Sequence, residues 1–576
     1  MINKAPIDAI DDAIREIIKT AAAERPGKRE LAKIKKNICK KHGVVRIPTD
    51  VEILFKSPPE QYASVRKYFL TKPVRTLSGV ATIAVATKPL GCPHGKCSFC
   101  PGGVDSAFGS VPQSYTGLEP SIRRSALSNY DPYAVVFGRL SQYIITGHVP
   151  EKVELIIQGA TFPAYPKSYQ FEFVRSCFLA LNDFSRLFFG GGEFDILQFK
   201  EFVSVHSALD NPGDWNRLLP TILHEKQKCK DSFETVRDAN ENAKIRCVGL
   251  TIETKPDFGF LDHGNQMLEL GCTRVEIGVQ SPYDDVLLAT NRGHTSEDTK
   301  RSIQILRDLG FKLNFHVMPG LPGVSRERDA RAFEQYFSDA AYKPDMLKVY
   351  PCMVMKGTAL FDEWKRGTFV PISTDEAAER IVDLKKSVAP YCRVMRVQRD
   401  IPTAATEAGV DRTNLRQYIV KLQKERGVAC RCIRCSEPRG ERLPDSEMLI
   451  NVLEYEASGG SEYFIHARCG AYLLGFVRLR LPKVALRSEI TNTTALIREI
   501  HVYGKALALG ARGEVQHSGI GAQLLERAEA VARASAKLKI VIISAVGARS
   551  YFKKFGYNRE GPYMIKMLES SGYELK

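Results

Sequence analysis

The chain has 576 residues and carries 82 lysines and arginines against 66 aspartates and glutamates, a formal charge of +16. At ~150 residues per domain this makes several units, each able to bury its own core, and it excludes a single small domain. The charge favours a polyanionic partner, no apolar run approaches the roughly 18 residues that cross a bilayer, and Asp8, Asp11, Asp12 and Glu16 interrupt any secretory core. The expectation is a soluble, cytoplasmic protein with no membrane partner. Its 14 cysteines should stay reduced there, and where they cluster they point to metal.

In chain order, the first feature is a charge block. Between Arg25 and Arg46 nine basic residues face one acid, Glu30. Leu31, Ile34 and Ile38 recur at helical spacing inside it, so Lys28, Arg29, Lys33, Lys35, Lys36, Lys40 and Lys41 are placed on an amphipathic helix. Such a face is either merely solvated or, as the sign imbalance favours here, an arm that holds nucleic-acid phosphates.

From residue 78 to 360, strand-like runs at 79–87, 153–162, 248–253, 275–280, 313–318 and 347–353 alternate with helical patterns such as 296–309. Strands and helices in this alternation predict an α/β fold, a partial (β/α)6 barrel with its chemistry at the C-terminal strand ends. Residues 190–244 exceed one crossover and read as an insertion. From residue 446 short strands at 448–455, 462–467, 472–480 and 495–503, a helix opening at Gly519 and a strand at 540–544 predict a separate α+β domain. The expected organisation is a basic region at 1–75, the barrel at 76–386, a cysteine-rich linker at 387–445 and the α+β domain at 446–576.

The loop after the first barrel strand reads Gly91-Cys92-Pro-His94-Gly-Lys-Cys97-Ser-Phe99-Cys100. Three thiolates on one tight loop can hold three irons of a 4Fe-4S cubane and leave the fourth iron open for substrate or cofactor. A zinc knuckle completed by His94 is the alternative. The arrangement resembles the radical S-adenosylmethionine superfamily, although one more residue separates the first two cysteines than is usual there. The resemblance implies S-adenosylmethionine as cofactor, with Phe99 near the adenine, Gln158-Gly159 after the second strand near the methionine amino group, and Glu253 and Gln280 hydrogen-bonding the cofactor from strand ends.

Cys430, Cys432 and Cys435 form a second cluster in the linker, a structural zinc site by its spacing. A fourth ligand is needed, from Cys352, Cys392, Cys469 or His466. Cys352 is preferred because it follows the last barrel strand.

In the C-terminal domain, Gln516-His-Ser-Gly519-Ile520-Gly521-Ala522 precedes an apolar helix, a geometry in which backbone N–H groups face a pyrophosphate. With the strand around Arg498 to Tyr503 before it, the order resembles the GNAT-type N-acetyltransferases, which bind acetyl-CoA by this loop. Tyr551 falls where that fold often keeps a tyrosine beside the CoA sulfur, able to donate a proton to a leaving thiolate.

A radical-SAM barrel joined through a cysteine linker to such a domain resembles the family of the Elongator catalytic subunit and its single-chain homologues, on stretches that include CPHGKCSFCPGG, TIETKPD, VEIGVQSPYDDVL, HVMPGLPG and REIHVYG. The resemblance implies a tRNA carboxymethyluridine synthase that modifies carbon 5 of the wobble uridine with acetyl-CoA as carbon donor. It assigns Lys152, Glu499, Ile500, His501, Val502 and the 519–521 segment to acetyl-CoA, and the family's paired tyrosines appear here as Tyr551-Phe552. Implied partners are the tRNA anticodon stem-loop, an electron donor, and either a second copy of the chain or accessory subunits. The competing reading is a protein lysine acetyltransferase with Glu499 as base and the barrel as scaffold.

Overall fold

Buried aliphatic runs build the central sheet of the structure, a computed structural model that describes residues 7–76, 78–159, 161–204, 215–438, 443, 447–503 and 519–569. Seven strands pair in sequence order: β1 (Val80–Ala86), β2 (Lys152–Gln158), β3 (Arg246–Thr254), β4 (Arg274–Gln280), β5 (Lys312–Val317), β6 (Met346–Val349) and β7 (Arg393–Arg396). From β3 onward every neighbouring pair is parallel. β6 is buried along its whole length and β4 along all but its last residue, as expected for strands covered on both faces. The sequence predicts six strands. The seventh, Arg-Val-Met-Arg, has no apolar run and forms by parallel pairing with β6, so what was expected as the start of the linker belongs to the sheet.

Crossover helices follow their caps. Helix α3 (Ser296–Asp308) starts where the Thr295 hydroxyl accepts from the Asp298 N–H while the Asp298 carboxylate accepts from the Thr295 N–H and hydroxyl. Its buried face is Thr299, Ser302, Ile303 and Leu306, at helical spacing.

Two compact units emerge, neither continuous in sequence. The first takes residues 1–83, 133–153 and 176–246. It holds α1 (Ile7–Glu24) and α2 (Lys28–Lys41), the buried stripe Ala13, Ile14, Ile17, Ile18 and Ala21 on α1, and an aromatic cluster in which Phe184 and Phe188 pack edge-to-face at 4.7 Å. The region expected as an insertion lies in this unit and is largely helical among its described residues.

The second unit takes residues 84–132, 154–175 and 247–576. Besides most of the parallel sheet it contains a second sheet of β8 (Met448–Ala457), β9 (Gly460–Cys469), β10 (Tyr472–Leu481), β11 (Thr494–Val502), β12 (Lys539–Ile543), β13 (Asn558–Glu560) and β14 (Tyr563–Met567), in the order β8-β9-β10-β11-β12-β14-β13. Helix α4 (Ile520–Ala534) lays Ile520, Leu524, Leu525, Ala528 and Ala532 on this sheet against Ile465, Val477, Ile497 and Ile542. Each fully buried aliphatic side chain there is worth about 1.5–3 kcal/mol.

The two sheets meet at the N-terminal ends of the barrel strands, opposite the cysteine loop. Arg498 on β11 bonds Asp345, just before β6, and the carbonyl of Phe311, just before β5. Arg480 on β10 bonds Asp308 at 2.6 Å, and Tyr563 donates to the Leu309 carbonyl at 2.9 Å.

Candidate functional site

One cleft of about 1080 Å³, its mouth included, opens at the C-terminal ends of the parallel strands. Cys92, Cys97 and Cys100 line it together with Gln158, Glu253 and Gln280, so the structure brings these six residues together.

Two tight turns present the thiols: the Gly95 N–H bonds the Cys92 carbonyl and the Cys100 N–H bonds the Cys97 carbonyl, each at 3.0 Å. Gln113 Nε2 donates to the Cys100 sulfur at 3.0 Å, Arg292 Nη1 to the Cys97 sulfur at 3.7 Å, and His94 Nε2 lies 3.4 Å from the Cys97 sulfur. Burial pushes the Cys92 thiol up to about 11 and raises Cys100. Burial, with Lys255 and Arg292 nearby, draws His94 down to about 4, so its ring is neutral at pH 7.

The spacing separates the two metal readings. Thiolates around one tetrahedral zinc at about 2.3 Å stand about 3.8 Å apart. The sulfurs of Cys430, Cys432 and Cys435 all lie within 4.8 Å of one another, whereas those of Cys92, Cys97 and Cys100 do not form such a group. The second group therefore stands at single-ion spacing, and the first does not.

Beside the first loop the backbone is held in costly conformations. Thr161 (φ 64) and Gln280 (φ 63) occupy the left-handed region, at about 1–3 kcal/mol each. Gly159 (φ 124) leaves no room for a side chain unless the turn shifts: a Cβ there would stand 1.9 Å from Thr87 Oγ1. Gln158 Oε1 and Gln280 Oε1 are buried with no hydrogen-bond partner among the described residues, an arrangement that a polar ligand would satisfy. Both Glu253 oxygens accept from the Tyr115 hydroxyl, at 2.9 and 3.1 Å.

Deeper in the cleft is a group the sequence expectations missed. Glu276 accepts from Asn314 Nδ2 at 3.1 Å, from His316 Nε2 at 2.8 Å and from the Lys348 ammonium. Burial alone would raise the Glu276 carboxyl, but Lys348 and His316 outweigh it and hold it well below the usual range. Arg399 sits over the rings of Tyr115 and Tyr350, and Arg396 pairs with Asp400 at 2.6 Å. A signal was available: Glu276, His316 and Lys348 each interrupt a buried parallel strand that should read as continuously apolar.

Around the second cysteine group, Lys385 Nζ lies 3.7 Å from the Cys435 sulfur. Mutual hydrogen bonding of the three sulfurs lowers the Cys432 thiol and raises Cys430. Cys352 is not part of this group. It is fully buried in a different cluster, with Cys97, Phe99, Cys100 and Leu360. Cys392 is the nearer thiol: burial, and after it the charge of Cys432, push its thiol well up, and its carbonyl accepts from the Ile433 N–H at 3.0 Å.

In the second sheet, β11 and β12 pair in parallel only over 494–497 and 539–542, while β11 runs on to Val502. Among the described residues Ile500, His501 and Val502 thus have no ladder partner on the β12 side. Gly521, in the first turn of α4, faces Tyr551: a Cβ there would lie 2.6 Å from the tyrosine hydroxyl and 3.7 Å from Val502. Ile520 is buried, Ala522 half-buried and Gly519 exposed as the N-cap. Gln516 lies outside the described residues. Tyr551 is 38% exposed, whereas Phe552 is buried in the core, where a tyrosine hydroxyl would need a buried partner. Glu499 is not a free base. Its carboxylate accepts from Arg478 Nε at 2.8 Å, and Arg478 and Lys312 hold it ionised against the effect of burial. Burial draws His501 down to about 4. Among the described residues none of the second sheet lines the cleft.

In the first unit Lys152 opens β2, its ammonium lowered by burial and by Arg246, and it does not line the cleft. On α2 the seven candidates divide. Lys35 is buried and paired with Asp50 at 3.0 Å, Lys41 pairs with Glu16 at 2.8 Å, and Lys28 donates to the Leu70 carbonyl. Arg29, Lys33, Lys36 and Lys40 are exposed and hold no ion pair among the described residues. Lys35 is thereby corrected from a phosphate contact to a structural ion pair, because its side chain lies on the face that docks. Among the described residues no helix is long and apolar enough to cross a membrane.

Comparison with known proteins adds to this geometry. Residues 89–334 match the Radical SAM superfamily, 344–425 the Radical_SAM C-terminal domain and 8–77 the ELP3 N-terminal domain. The chain is 41% identical to a tRNA uridine(34) acetyltransferase of Methanocaldococcus infernus, over 90% of this chain and 92% of that protein. It is 36% identical to human Elongator complex protein 3 over 97% of each. Among solved structures, the archaeal Methanocaldococcus infernus Elp3 lacking residues 1–46 aligns with a TM-score of 0.69 at 35% identity, covering 86% of this chain and all of that one.

Proposed function

Because this chain belongs to the Elongator protein 3 family within the radical SAM superfamily, we propose that it modifies the wobble uridine of tRNA, joining a carboxymethyl group derived from acetyl-CoA to carbon 5 of the base. The observation that carries the reading is the convergence of Cys92, Cys97 and Cys100 with Gln158, Glu253 and Gln280 on one cleft.

The three cysteines would hold the 4Fe-4S cluster, with Gln113 and Arg292 donating to two of the sulfurs and stabilising their thiolate character. Gln158 Oε1 and Gln280 Oε1 would accept from the ammonium of S-adenosylmethionine, and Glu253, oriented by Tyr115, from its ribose hydroxyls. When bound, cluster and cofactor supply one-electron chemistry able to abstract hydrogen from an unactivated methyl group, which no side chain can do. The strained turns at Thr161 and Gln280 keep the donors and acceptors fixed around that reaction.

Acetyl-CoA would be held at the first turn of α4, Gly519 to Ala522, beside the unpaired side of Ile500 to Val502, with Tyr551 near the thioester. We assign residues 446–576 to this acetyltransferase-like, GNAT-type domain, and the stretch from the end of β7 to residue 445 to a zinc-bearing linker in which Cys430, Cys432 and Cys435 are joined by Cys392, just before β7. Arg29, Lys33, Lys36 and Lys40, in the basic N-terminal region 1–75, would hold phosphates of the anticodon stem-loop. The ion pair of Glu499 with Arg478 counts against protein lysine acetylation, since that reaction needs a carboxylate free to take a proton.

The test is anaerobic reconstitution with iron and sulfide, incubation with tRNA, S-adenosylmethionine, a reductant and labelled acetyl-CoA, and nucleoside mass analysis. Label in the wobble uridine together with 5′-deoxyadenosine is expected. Absence of both overturns the reading.

A further inference from the structure

The lower wall of the cleft carries a tautomer lock. Strand register sets Glu276 beside Asn314 and His316 beside Lys348, so one face of β4, β5 and β6 brings the four side chains together. Asn314 Nδ2 and the Lys348 ammonium both donate to Glu276, which therefore serves as an ionised, acceptor-only group. The proton in its 2.8 Å contact with His316 must then lie on Nε2 of the imidazole. Burial and the Lys348 charge keep the ring neutral, which leaves Nδ1 with a lone pair. Nδ1 has no hydrogen-bond partner among the described residues, His316 lines the cleft, and Tyr350 packs edge-on against the ring at 5.3 Å. The same wall carries the donors Lys348, Arg396 and Arg399.

Uracil presents acceptor, donor, acceptor along its O2, N3–H, O4 edge, whereas cytosine presents acceptor, acceptor, donor. Glu253 on the same wall is engaged by the Tyr115 hydroxyl and Glu276 by its three donors, so His316 Nδ1 is an acceptor left open among cationic donors, complementary to the first edge and opposing the N3 lone pair of the second. Resting on the proposed tRNA reaction, we propose that His316 Nδ1 accepts the N3–H of the substrate uracil, and that Glu276 and Lys348 are positioning residues that hold His316 in the tautomer able to do so. In an enclosed polar site an unmatched partner is rejected strongly, because its polar groups stay unpaired.

The experiment uses the full chain and anticodon stem-loop RNAs that differ only at the wobble position: uridine, 3-methyluridine or cytidine. Competition binding is measured alongside KM, kcat and melting temperature. The wild-type chain is expected to bind the uridine RNA about tenfold or more tightly than the other two, with the difference in KM. His316→Leu should level the three RNAs. Glu276→Gln, whose amide can donate to Nε2 and move the imidazole proton to Nδ1, should narrow or invert the uridine-to-cytidine ratio, an effect a purely structural role would not produce. Equal binding of uridine and 3-methyluridine by the wild-type chain overturns the proposal without any variant having to fold, as does an unchanged ratio in a folded His316→Leu. A wild-type chain that prefers uridine tenfold but never modifies it would sink the proposed reaction and leave the recognition standing.

Discussion

Arg498 grips both oxygens of Asp345 at 2.7 Å each, and neither side chain is exposed to solvent. The pair joins the second sheet to the start of β6, within a cluster where Arg307, Arg478, Arg480 and Arg498 face Asp308, Asp345, Glu462 and Glu499, four cations and four anions. A buried pair of this kind adds little over an apolar contact, but breaking it strands a charge.

Asp345→Asn should therefore cost about 3–5 kcal/mol, read as a lower denaturant midpoint for the second unit. Burial would raise the Asp345 carboxyl, but Arg498 and Arg478 overcome it and hold it below the ordinary value of about 3.9. A depressed carboxyl contributes stability above its unfolded pKa and loses it as pH falls toward the folded one. Wild-type stability should thus hold from neutral pH to about 5 and fall below about 4, with a shallower fall in Asp345→Asn. Equal acid slopes for the two proteins would refute this.

On the proposed assignments, metal analysis of variants should separate the two cysteine groups. Cys97→Ala should abolish iron and sulfide uptake on reconstitution and leave zinc at one ion per chain. Cys392→Ser should lower zinc while Cys352→Ser keeps it, measured by elemental analysis of the purified chain. Full zinc in Cys392→Ser would remove that residue from the ligand set.

Gly159→Ala puts a methyl group where only 1.9 Å separates it from Thr87 Oγ1. Since the turn must shift, S-adenosylmethionine binding should weaken by about tenfold or more, the equivalent of about 1.4 kcal/mol, by equilibrium dialysis. Pairing it with Thr87→Ser, which retains the hydroxyl, should give no rescue, whereas Thr87→Gly should restore part of the loss.

On the basic helix, Lys33, Lys36 and Lys40 changed together to alanine should reduce the salt dependence of tRNA binding, lowering the slope of log K against log salt by about 2–3. Lys35→Ala should act differently, lowering the melting temperature through loss of its bond to Asp50 while leaving that slope in place. A triple variant with an unaltered slope would disconnect this helix from phosphate binding.

Tyr551→Phe tests the thioester end. If the hydroxyl donates to the leaving thiolate, tRNA-stimulated acetyl-CoA hydrolysis should drop about 100-fold with acetyl-CoA affinity retained. Loss of affinity without loss of turnover would assign Tyr551 to packing.

Local chemistry was readable from the sequence wherever neighbours along the chain create it. The Cys92, Cys97 and Cys100 spacing, the Cys430 group, the barrel strands and the helix opening after Gly519 all depend on short separations or on periodicity, and the strands found lie within a few residues of those expected. Tertiary structure alone decided the matters that depend on which distant residues become neighbours. It turned Lys35 inward, tied Glu499 to Arg478, set Cys352 among the first cysteines instead of the second, and gathered Glu276, His316 and Lys348 from three strands by register. It also set the second sheet against the N-terminal strand ends of the barrel, away from the cysteine loop. Each of these outcomes turns on how a charge or thiol is desolvated and paired, and a partner far along the chain leaves no periodic trace.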